Sequence, residues 1–443
     1  MFTIPKDSPI NKKVITEAVK YNETLIKRYR TLDKLYVGSH EIRNREKPEG
    51  KANNKTIINH AEYITDTNVG FLMGNPLEYQ VKGGSIDIDP ILEEYSKQEI
   101  HDFDIELAED ISIFGSQYEY VYADEDSNVI STDIDNEHCV LVYDDTMKHN
   151  IMFAILYELN EDKTKKDTFS FKKLKVVDSD SLTEYANKSG NIVKGKATGH
   201  FFEEVPVIEH RNNKRKLGDF ESVATLINAY NVLMSDRVDD KEDLVNALLA
   251  VKGMEITNEQ ATSIKKNRII SNIPTDGDIS YVVKQLNETE LSVLRRDIAS
   301  DIHKISKTPD MTDENFVGNS SGVAISYKLF PFLKNTKKKE RYFVKSLKKR
   351  LKLYNTYLKK KGKMSKIVPT HEVEIIFKRS LPQNDFETSQ MINNLHGLVP
   401  TEKLISQLSF VENATEEMEA LDQENDEFVK EDSSGFGTDE TNE

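Results

Sequence analysis

The sequence has little cysteine and no long apolar run, and each absence excludes a class of protein. The one cysteine, Cys139, cannot form an intrachain disulfide or build a thiolate metal cage, which favours a reducing compartment. The first residues lack the apolar stretch of a secretory signal. The most apolar run, 244–251, is far shorter than the roughly 20 residues that span a membrane. We therefore expect a soluble intracellular chain without a signal sequence or a membrane span.

The rest of the composition indicates a folded chain with several modules. The 443 residues exceed what a single hydrophobic core usually organises, and 37% of them are hydrophobic, which excludes global disorder. The formal net charge is −16, but it is spread unevenly. Residues 411–443 hold 13 acidic residues and one basic residue, Lys430. We interpret this segment as an acidic tail whose last sixteen residues are disordered.

Residues 334–366 form the opposite extreme, with 15 basic residues and one acidic residue, Glu340. A block of this charge can neutralise phosphate, RNA or the acidic face of a partner protein. The same pattern is also typical of the solvated face of a helix. The sequence leaves these alternatives open.

The spacing of apolar residues predicts helices in the first quarter of the chain and strands after it. Helical periodicity covers 8–37 and 55–72, and a third helix begins at Asp89 as its N-cap and runs to about residue 114. From 118 to 208 the pattern alternates, which is typical of strands. Turn residues divide these strands at 123–128, 179–181 and 189–191.

Helical periodicity returns in the second half of the chain. The predicted helices are 219–251, with Asp219 as its N-cap, 287–306, and a long helix over 323–361 that Pro331 interrupts. A strand at 373–377 and short helices at 386–395, 401–408 and 413–427 complete the pattern. The predicted fold class is therefore α+β.

One segment has the spacing of a phosphate-binding loop. Gly190 and Gly195 precede Lys196 at the required distances, but Ala197 stands where a Ser or Thr hydroxyl must reach magnesium. The segment also lies between predicted strands and not before a helix. A hairpin turn is the better interpretation.

A second segment has part of the pattern of a calcium loop. Asp124, Asp126, Asn128 and Asp135 occupy positions one, three, five and twelve, but Val129 replaces the glycine of the sharp turn. The adjacent pair Asp144 and Asp145, which follows a strand, is more typical of a solvated turn than of acid–base chemistry. We therefore predict no metal, no cofactor and no enzymatic activity.

Several strings, taken in their order, resemble the portal or head-to-tail connector proteins of tailed double-stranded DNA phages. The subgroup is that of long-tailed phages of Gram-positive hosts. His210 stands where this family usually has an aromatic residue. The matching strings are 53–59, 70–76, 110–115, 205–213, 218–236, 316–324 and 381–385.

The resemblance implies a portal fold with a mixed α/β wing, a two-helix stem, a small α/β clip, a long kinked helix and a helical crown. Such proteins form a ring, here expected to contain twelve copies, at one capsid vertex. The implied boundaries are 1–218 for the wing, 219–252 and 287–307 for the stem helices, 253–286 for the clip, 308–322 for the tunnel loop, 323–385 for the long helix and a wing strand, 386–428 for the crown, and 429–443 for the disordered acidic tail.

The resemblance also implies partners and sites. DNA enters and leaves through the ring, and the terminase large subunit, a head–tail adaptor, scaffolding proteins and the major capsid protein are the implied partners, in the host cytoplasm and then in the virion. The implied tunnel-loop residues are Asp310, Met311, Asp313, Glu314, Asn315, Phe316, Val317, Gly318 and Asn319. The implied motor or adaptor contacts are Lys265, Lys266 and Arg268. The basic residues expected to face a neighbouring subunit or DNA are Lys337, Lys338, Lys339, Arg341, Lys345, Lys348 and Lys349.

A different class of function stays open on the sequence alone. In that hypothesis the chain is a nucleic-acid-acting or nucleotide-binding enzyme that uses 190–197 and the basic helix at 334–366. The portal hypothesis instead uses the acidic residues of the loop, because carboxylates repel DNA phosphates and lysines retain them.

Overall fold

The computed structural model describes most of the chain and divides it into two compact units. The described residues are 1–82, 87–160, 170–188, 191–245, 248–252, 257–259, 262, 277–282, 288–311, 322–379, 385–408, 411, 414, 417, 418, 420 and 421. The first unit comprises Met1–Asp310 and Pro331–Phe377, and the second comprises Met311–Phe330 and Lys378–Glu443. Among the described helices, none is both long and apolar enough to cross a bilayer.

The helices predicted in the first quarter are present, with different ends. The side chain of Asn11 caps the first helix by accepting from the backbone N–H of Val14 at 3.0 Å, so the helix begins later than residue 8. The third predicted helix is two helices, because Glu99 adopts a left-handed backbone with φ of 51°. These helices are α1 (Lys12–Tyr36), α2 (His60–Met73), α3 (Asp89–Lys97) and α4 (Ile100–Phe114).

The predicted β-rich region and a strand near the N-terminus form two sheets. In chain order, the described strands up to residue 211 are β1 (Phe2–Ile4), β2 (Glu78–Val81), β3 (Ser116–Ala123), β4 (Val129–Ile134), β5 (Cys139–Asp144), β6 (Ile151–Asn160), β7 (Ser170–Val177), β8 (Ser181–Lys188), β9 (Asn191–Gly199) and β10 (Val207–Arg211). Of these, β2 belongs to neither sheet. The larger sheet has the order β1-β5-β6-β7-β8-β9 and the smaller has the order β10-β3-β4. All pairings in them are antiparallel except β1 with β5.

Two helices and a strand pair follow this region. A short 3-10 helix, Glu221–Val223, leads into α5 (Ala224–Val245), and α6 is Glu288–Ser306. The prediction of a helix up to residue 251 is wrong, because Leu248–Lys252 is strand β11, paired antiparallel with β12 (Asp278–Val282). Its sequence is a short apolar run, and such a run fits a helix or a strand equally well.

The helices α5 and α6 form an antiparallel hairpin. Near its base, Ile227 and Tyr230 of α5 share a hydrophobic cluster with Ile302 of α6. Further along, Arg237 of α5 bonds Glu288 at the start of α6 at 3.1 Å. Residues later in α5 therefore contact residues earlier in α6, as in an antiparallel pair.

A long helix carries the basic block and also part of the main core. This helix, α7 (Gly322–Lys360), runs through Pro331 without a break, so the prediction that Pro331 interrupts it is wrong; β13 (Val373–Ile376) pairs antiparallel with β2. Its apolar residues recur every three or four positions and lie in the largest hydrophobic cluster with α3 and α4. They are Phe343, Leu347, Leu351, Tyr354 and Leu358.

The second unit contains two short helices near the predicted positions, α8 (Asp385–Leu395) and α9 (Thr401–Ile405). Gly397 lies in the turn between them with φ of 82°, a conformation that glycine adopts without strain. The helix predicted at 413–427 lies mostly outside the described residues. The α+β class is confirmed as a mixture of helices and largely antiparallel sheets.

Candidate functional site

The structure describes two groups of the predicted site residues, the first residues of the predicted tunnel loop and the predicted basic face of α7. Asp310 and Met311 are described, as are all seven predicted residues of the basic helix. The remaining predicted residues lie outside the described residues and stay predictions: Lys265, Lys266, Arg268, Asp313, Glu314, Asn315, Phe316, Val317, Gly318 and Asn319.

The chain that leads into the predicted tunnel loop is held by side chains of α2 and α6. The hydroxyl of Tyr63 donates to the carbonyl of Pro309 at 2.9 Å. The hydroxyl of Thr308 accepts from the amide of Asn68 at 2.9 Å. A ring nitrogen of His303 lies 3.9 Å from a carboxylate oxygen of Asp310. Residues up to Asp310 are therefore fixed to the body of the first unit.

Lys339 does not lie on the exposed face of α7. It is 5% exposed, its ammonium donates to Oδ1 of Asn68 at 3.0 Å, and it forms an ion pair with Asp219. Burial lowers the pKa of Lys339, and the carboxylate of Asp219 opposes that shift. The prediction that Lys339 faces a neighbour or DNA is wrong, because its charge is used inside the subunit.

Asp219 has a different role from the predicted helix cap. Its carboxylate bonds residues of α4 and of the turn after β10. It accepts from the hydroxyl of Ser112 at 2.6 Å and from the amide of Asn212 at 2.8 Å. The helix α5 begins five residues later, at Ala224. Hydrogen bonds therefore run without a break from Thr308 through Asn68 and Lys339 to Asp219.

A second buried cluster surrounds Arg350 on the same helix. Its Nη1 bonds Asp104 at 2.6 Å and its Nε bonds Glu119 at 2.7 Å, and all three side chains are fully buried. His210 bonds Glu119 at 2.7 Å through one ring nitrogen and Ser346 at 2.9 Å through the other. Burial alone raises the pKa of Glu119, but Arg350 and His210 reverse the shift and lower it to about 2.

The sequence contained a signal for these inward basic residues that charge counting missed. Lys339, Ser346 and Arg350 lie four, three or seven positions from the buried Phe343, so they share its face of the helix. Counting charge alone assigned them to the polar face. His210, noted as a departure from the usual aromatic residue, connects that face to β3.

The other predicted basic residues divide by exposure. Lys349 is partly buried, and its ammonium donates to the carbonyl of Val207 at 2.8 Å, so it too is used within the subunit. Burial lowers its pKa to about 8. Lys348 is partly exposed. The exposed members are Lys337, Lys338, Arg341 and Lys345.

The phosphate-loop spacing falls within a strand. Asn191–Gly199 is β9, with Ala197 opposite Thr183 and Lys194 opposite Tyr185 of β8. Backbone N–H groups that pair with a neighbouring strand cannot also cradle a phosphate. The prediction of a hairpin in place of a phosphate loop agrees with these pairings, although residues 189 and 190 lie outside the described residues.

The acidic turns are structural. Asp124 accepts the backbone N–H of Asn128 at 2.7 Å in the turn between β3 and β4. Asp144 is 2% exposed and accepts from both Thr146 and Asn150, so it organises the turn after β5. The prediction that Asp144 is solvated is therefore wrong. In the portion of the chain that the structure describes, no three His, Cys, Asp or Glu residues are placed to hold a metal ion.

Comparisons with known proteins identify the class of the chain. The family model described as "Phage portal protein, SPP1 Gp6-like" matches residues 18–431. The chain therefore belongs to the SPP1 Gp6-like family of phage portal proteins. Members are structural and non-enzymatic components of phages, which confirms the prediction that the chain is not an enzyme and leaves the nucleotide-binding alternative without support.

Two known portal proteins are similar to this chain in amino-acid sequence. The portal protein of Bacillus phage SPP1 is 22% identical over 401 residues, which cover 86% of this chain and 78% of the relative. The portal protein of Clostridium phage phiCD119 is 21% identical over 233 residues, which cover 51% of this chain and 50% of the relative. Both hosts named are Gram-positive, as the resemblance implied.

A search of solved structures gives a more distant similarity. A chain from the virion of a native gene transfer agent particle aligns with a TM-score of 0.44 and 10% sequence identity. The alignment covers 84% of this chain and 89% of that chain.

Proposed function

We propose that this chain is the subunit of a portal ring, of twelve copies, that occupies one capsid vertex and passes double-stranded DNA through its centre. The single observation that carries the proposal is the family match, which covers all but the first 17 and the last 12 residues. During assembly in the host cytoplasm and later in the virion, the ring acts as a structural channel and not as a motor.

The exposed apolar residues of the stem hairpin support assembly. Val232 and Val238 of α5 are 42% and 39% exposed, and Val293 and Leu294 of α6 are 41% and 46% exposed. Apolar surface of this kind is favourably covered by another protein chain. Neighbouring hairpins in a ring are the cover that we propose.

Within the subunit, we retain the proposed wing, stem, tunnel loop and crown and revise the clip. Because β11 begins at Leu248, we propose that the clip starts there and not at residue 253. The basic residues Lys265, Lys266 and Arg268 are proposed contacts for the terminase large subunit and later for the head–tail adaptor. Scaffolding proteins and the major capsid protein are proposed to contact the ring from the capsid side.

We propose that the tunnel loop keeps DNA from adhering to the channel. Asp310, Asp313 and Glu314 place negative charge on or beside the loop, and negative charge repels phosphate. A channel lined with lysine would instead bind phosphates and slow the passage of DNA. A glycine such as Gly318 offers the proposed loop backbone freedom at low steric cost.

Reversal of the three loop charges tests this mechanism. Asp310→Lys, Asp313→Lys and Glu314→Lys in one chain should slow DNA packaging and ejection, measured as DNA length per unit time. The matched control reverses the exposed acids Asp7, Glu125 and Asp126. Normal rates in the loop variant, with rings formed at the usual yield, would contradict the low-friction channel.

A further inference from the structure

A surface cavity of about 300 Å³ carries an excess of acidic side chains. It lies between α1, α4, β3 and the turn that joins β4 to β5. Its acidic residues are Asp33, Asp110, Asp133, Asp135 and Glu137, and its other lining residues are Tyr29, Arg30, Phe114, Gln117 and Asn136.

One cation does not balance these five carboxyl groups. Arg30 pairs with Glu137 through three hydrogen bonds, at 2.6 to 3.0 Å. Among the described residues, Asp110 accepts a neutral amide hydrogen bond from Gln117, at 2.9 Å. Burial is the largest cause that raises the pKa of Asp110, and with the neighbouring carboxylates of Asp133, Glu109, Asp135 and Glu106 it brings that pKa to about 7.

A second observation, independent of charge, also indicates a missing donor. Asn136 lines the cavity and is 2% exposed. Its amide nitrogen donates to the carbonyl of Ser116 and to Gln117, but its Oδ1 has no hydrogen-bond partner. A buried acceptor without a donor is unfavourable, so native structures usually supply one.

The chemistry of the cavity selects the kind of ligand. Acceptors and negative charge require a cation that carries several N–H donors. Throughout the described ranges no group of acids has the compact arrangement of a metal site, so a metal ion is not the best occupant. A guanidinium or primary ammonium, with five or three donors, fits a spread set of acceptors.

The same chain presents such cations on another surface. Lys337, Lys338, Arg341 and Lys345 are exposed on α7, and in the described part of the molecule they form no ion pair with their own subunit. Arg341 and Lys345 lie four residues apart and therefore share one face of the helix. We propose that this acidic cavity receives basic side chains of α7 from a second copy of the chain.

The proposal rests on the proposed ring and names one of its contacts. In a closed ring each subunit offers its cavity to one neighbour and its basic helix face to the other, so the contact repeats around the circle. It also assigns the exposed basic residues to subunit contact and not to DNA.

Disulfide crosslinking tests the proximity directly. Asp135→Cys combined with Arg341→Cys, or with Lys345→Cys, should give a ladder of covalent multimers on oxidation. The native Cys139 is buried and forms no competing crosslink. The matched control pairs Glu125→Cys, in the turn before β4, with the same α7 variants and should give no ladder.

Charge exchange tests the energetics. Asp133→Lys with Asp135→Lys should raise the protein concentration needed for half-maximal ring formation about fivefold at low salt, and adding Arg341→Glu and Lys345→Glu should restore it. The control Glu125→Lys with Asp126→Lys should leave it unchanged. Rings that form normally in all variants, without crosslinks, overturn the proposal, and a specific loss of DNA passage in the α7 variants would assign the basic face to DNA. If the unmodified chain forms no ring, the proposed function itself fails.

Discussion

The two acidic clusters of the first unit differ in how their charge is balanced. Around Arg350, two carboxylates meet a guanidinium and a histidine, and every member is fully buried. In the surface cavity, five carboxyl groups face one arginine. The charges of the first cluster are paired within one subunit and fix α7 to α4 and β3, although Oδ2 of Asp104 and Nη2 of Arg350 have no hydrogen-bond partner. The second cluster has negative charge left over, which is the arrangement expected where another chain supplies the missing cation.

The largest effect should come from breaking the balanced cluster. Arg350→Met removes the guanidinium that bonds Asp104 and Glu119, and leaving such a buried charge unpaired typically costs about 3–5 kcal/mol. Urea unfolding of the variant should show this loss. The exposed Arg341→Met, nine residues earlier on the same helix, should change the free energy of unfolding by less than about 0.5 kcal/mol. Equal losses of unfolding free energy in the two variants would show that the buried Arg350 stabilises the subunit no more than the exposed Arg341 does.

An intermediate effect is expected at Lys339. Lys339→Met should lower the free energy of unfolding by about 2–3 kcal/mol, less than the loss at Arg350, because Ser112 and Asn212 still donate to Asp219. The double variant Lys339→Met, Asp219→Asn should recover part of the loss, since no buried charge then lacks a partner. Strict additivity of the two single variants would show that the pair is not coupled.

The smallest effect, and the one of opposite sign, is expected in the unbalanced cavity. The pKa of Asp110 in the folded subunit is about 7, above its ordinary value of 3.8, so ionisation of this group costs folded-state stability as the pH rises from about 4 through 7. Asp110→Asn cannot ionise. It should stabilise the isolated subunit by on the order of 1 kcal/mol at pH 8, and by less at pH 5. Unfolding curves of the variant and the unmodified chain at pH 5 and pH 8 measure this stabilisation. An equal stabilisation at the two pH values would contradict the raised pKa of Asp110.

The sequence predicted the elements better than their contacts. The spacing of Leu347, Leu351 and Leu358 was sufficient to place α7, because a regular apolar stripe determines a helix and its buried face. The same spacing places Lys339 and Arg350 on that buried face, but it could not identify their partners Asp219 and Asp104, which are distant in sequence. The break at Glu99 was missed because a left-handed residue without glycine leaves little trace in composition.

The family resemblance and the residue patterns contributed different knowledge. The order of short strings indicated a portal protein, and the family match over 18–431 confirms it. A formal net charge of −16, taken alone, argues against association with DNA, but the separation of the acidic tail from the basic helix makes that total misleading. The cavity could not be predicted, because it is assembled from α1, α4 and three segments of the β region that only tertiary packing brings together.

Assembly of this chain into a closed portal ring can be measured as the native mass of the purified protein at low salt. We expect one dominant species of twelve times the 50.7 kDa subunit mass, with a central hole in negative-stain images. A chain that stays monomeric or dimeric at every protein concentration would contradict it.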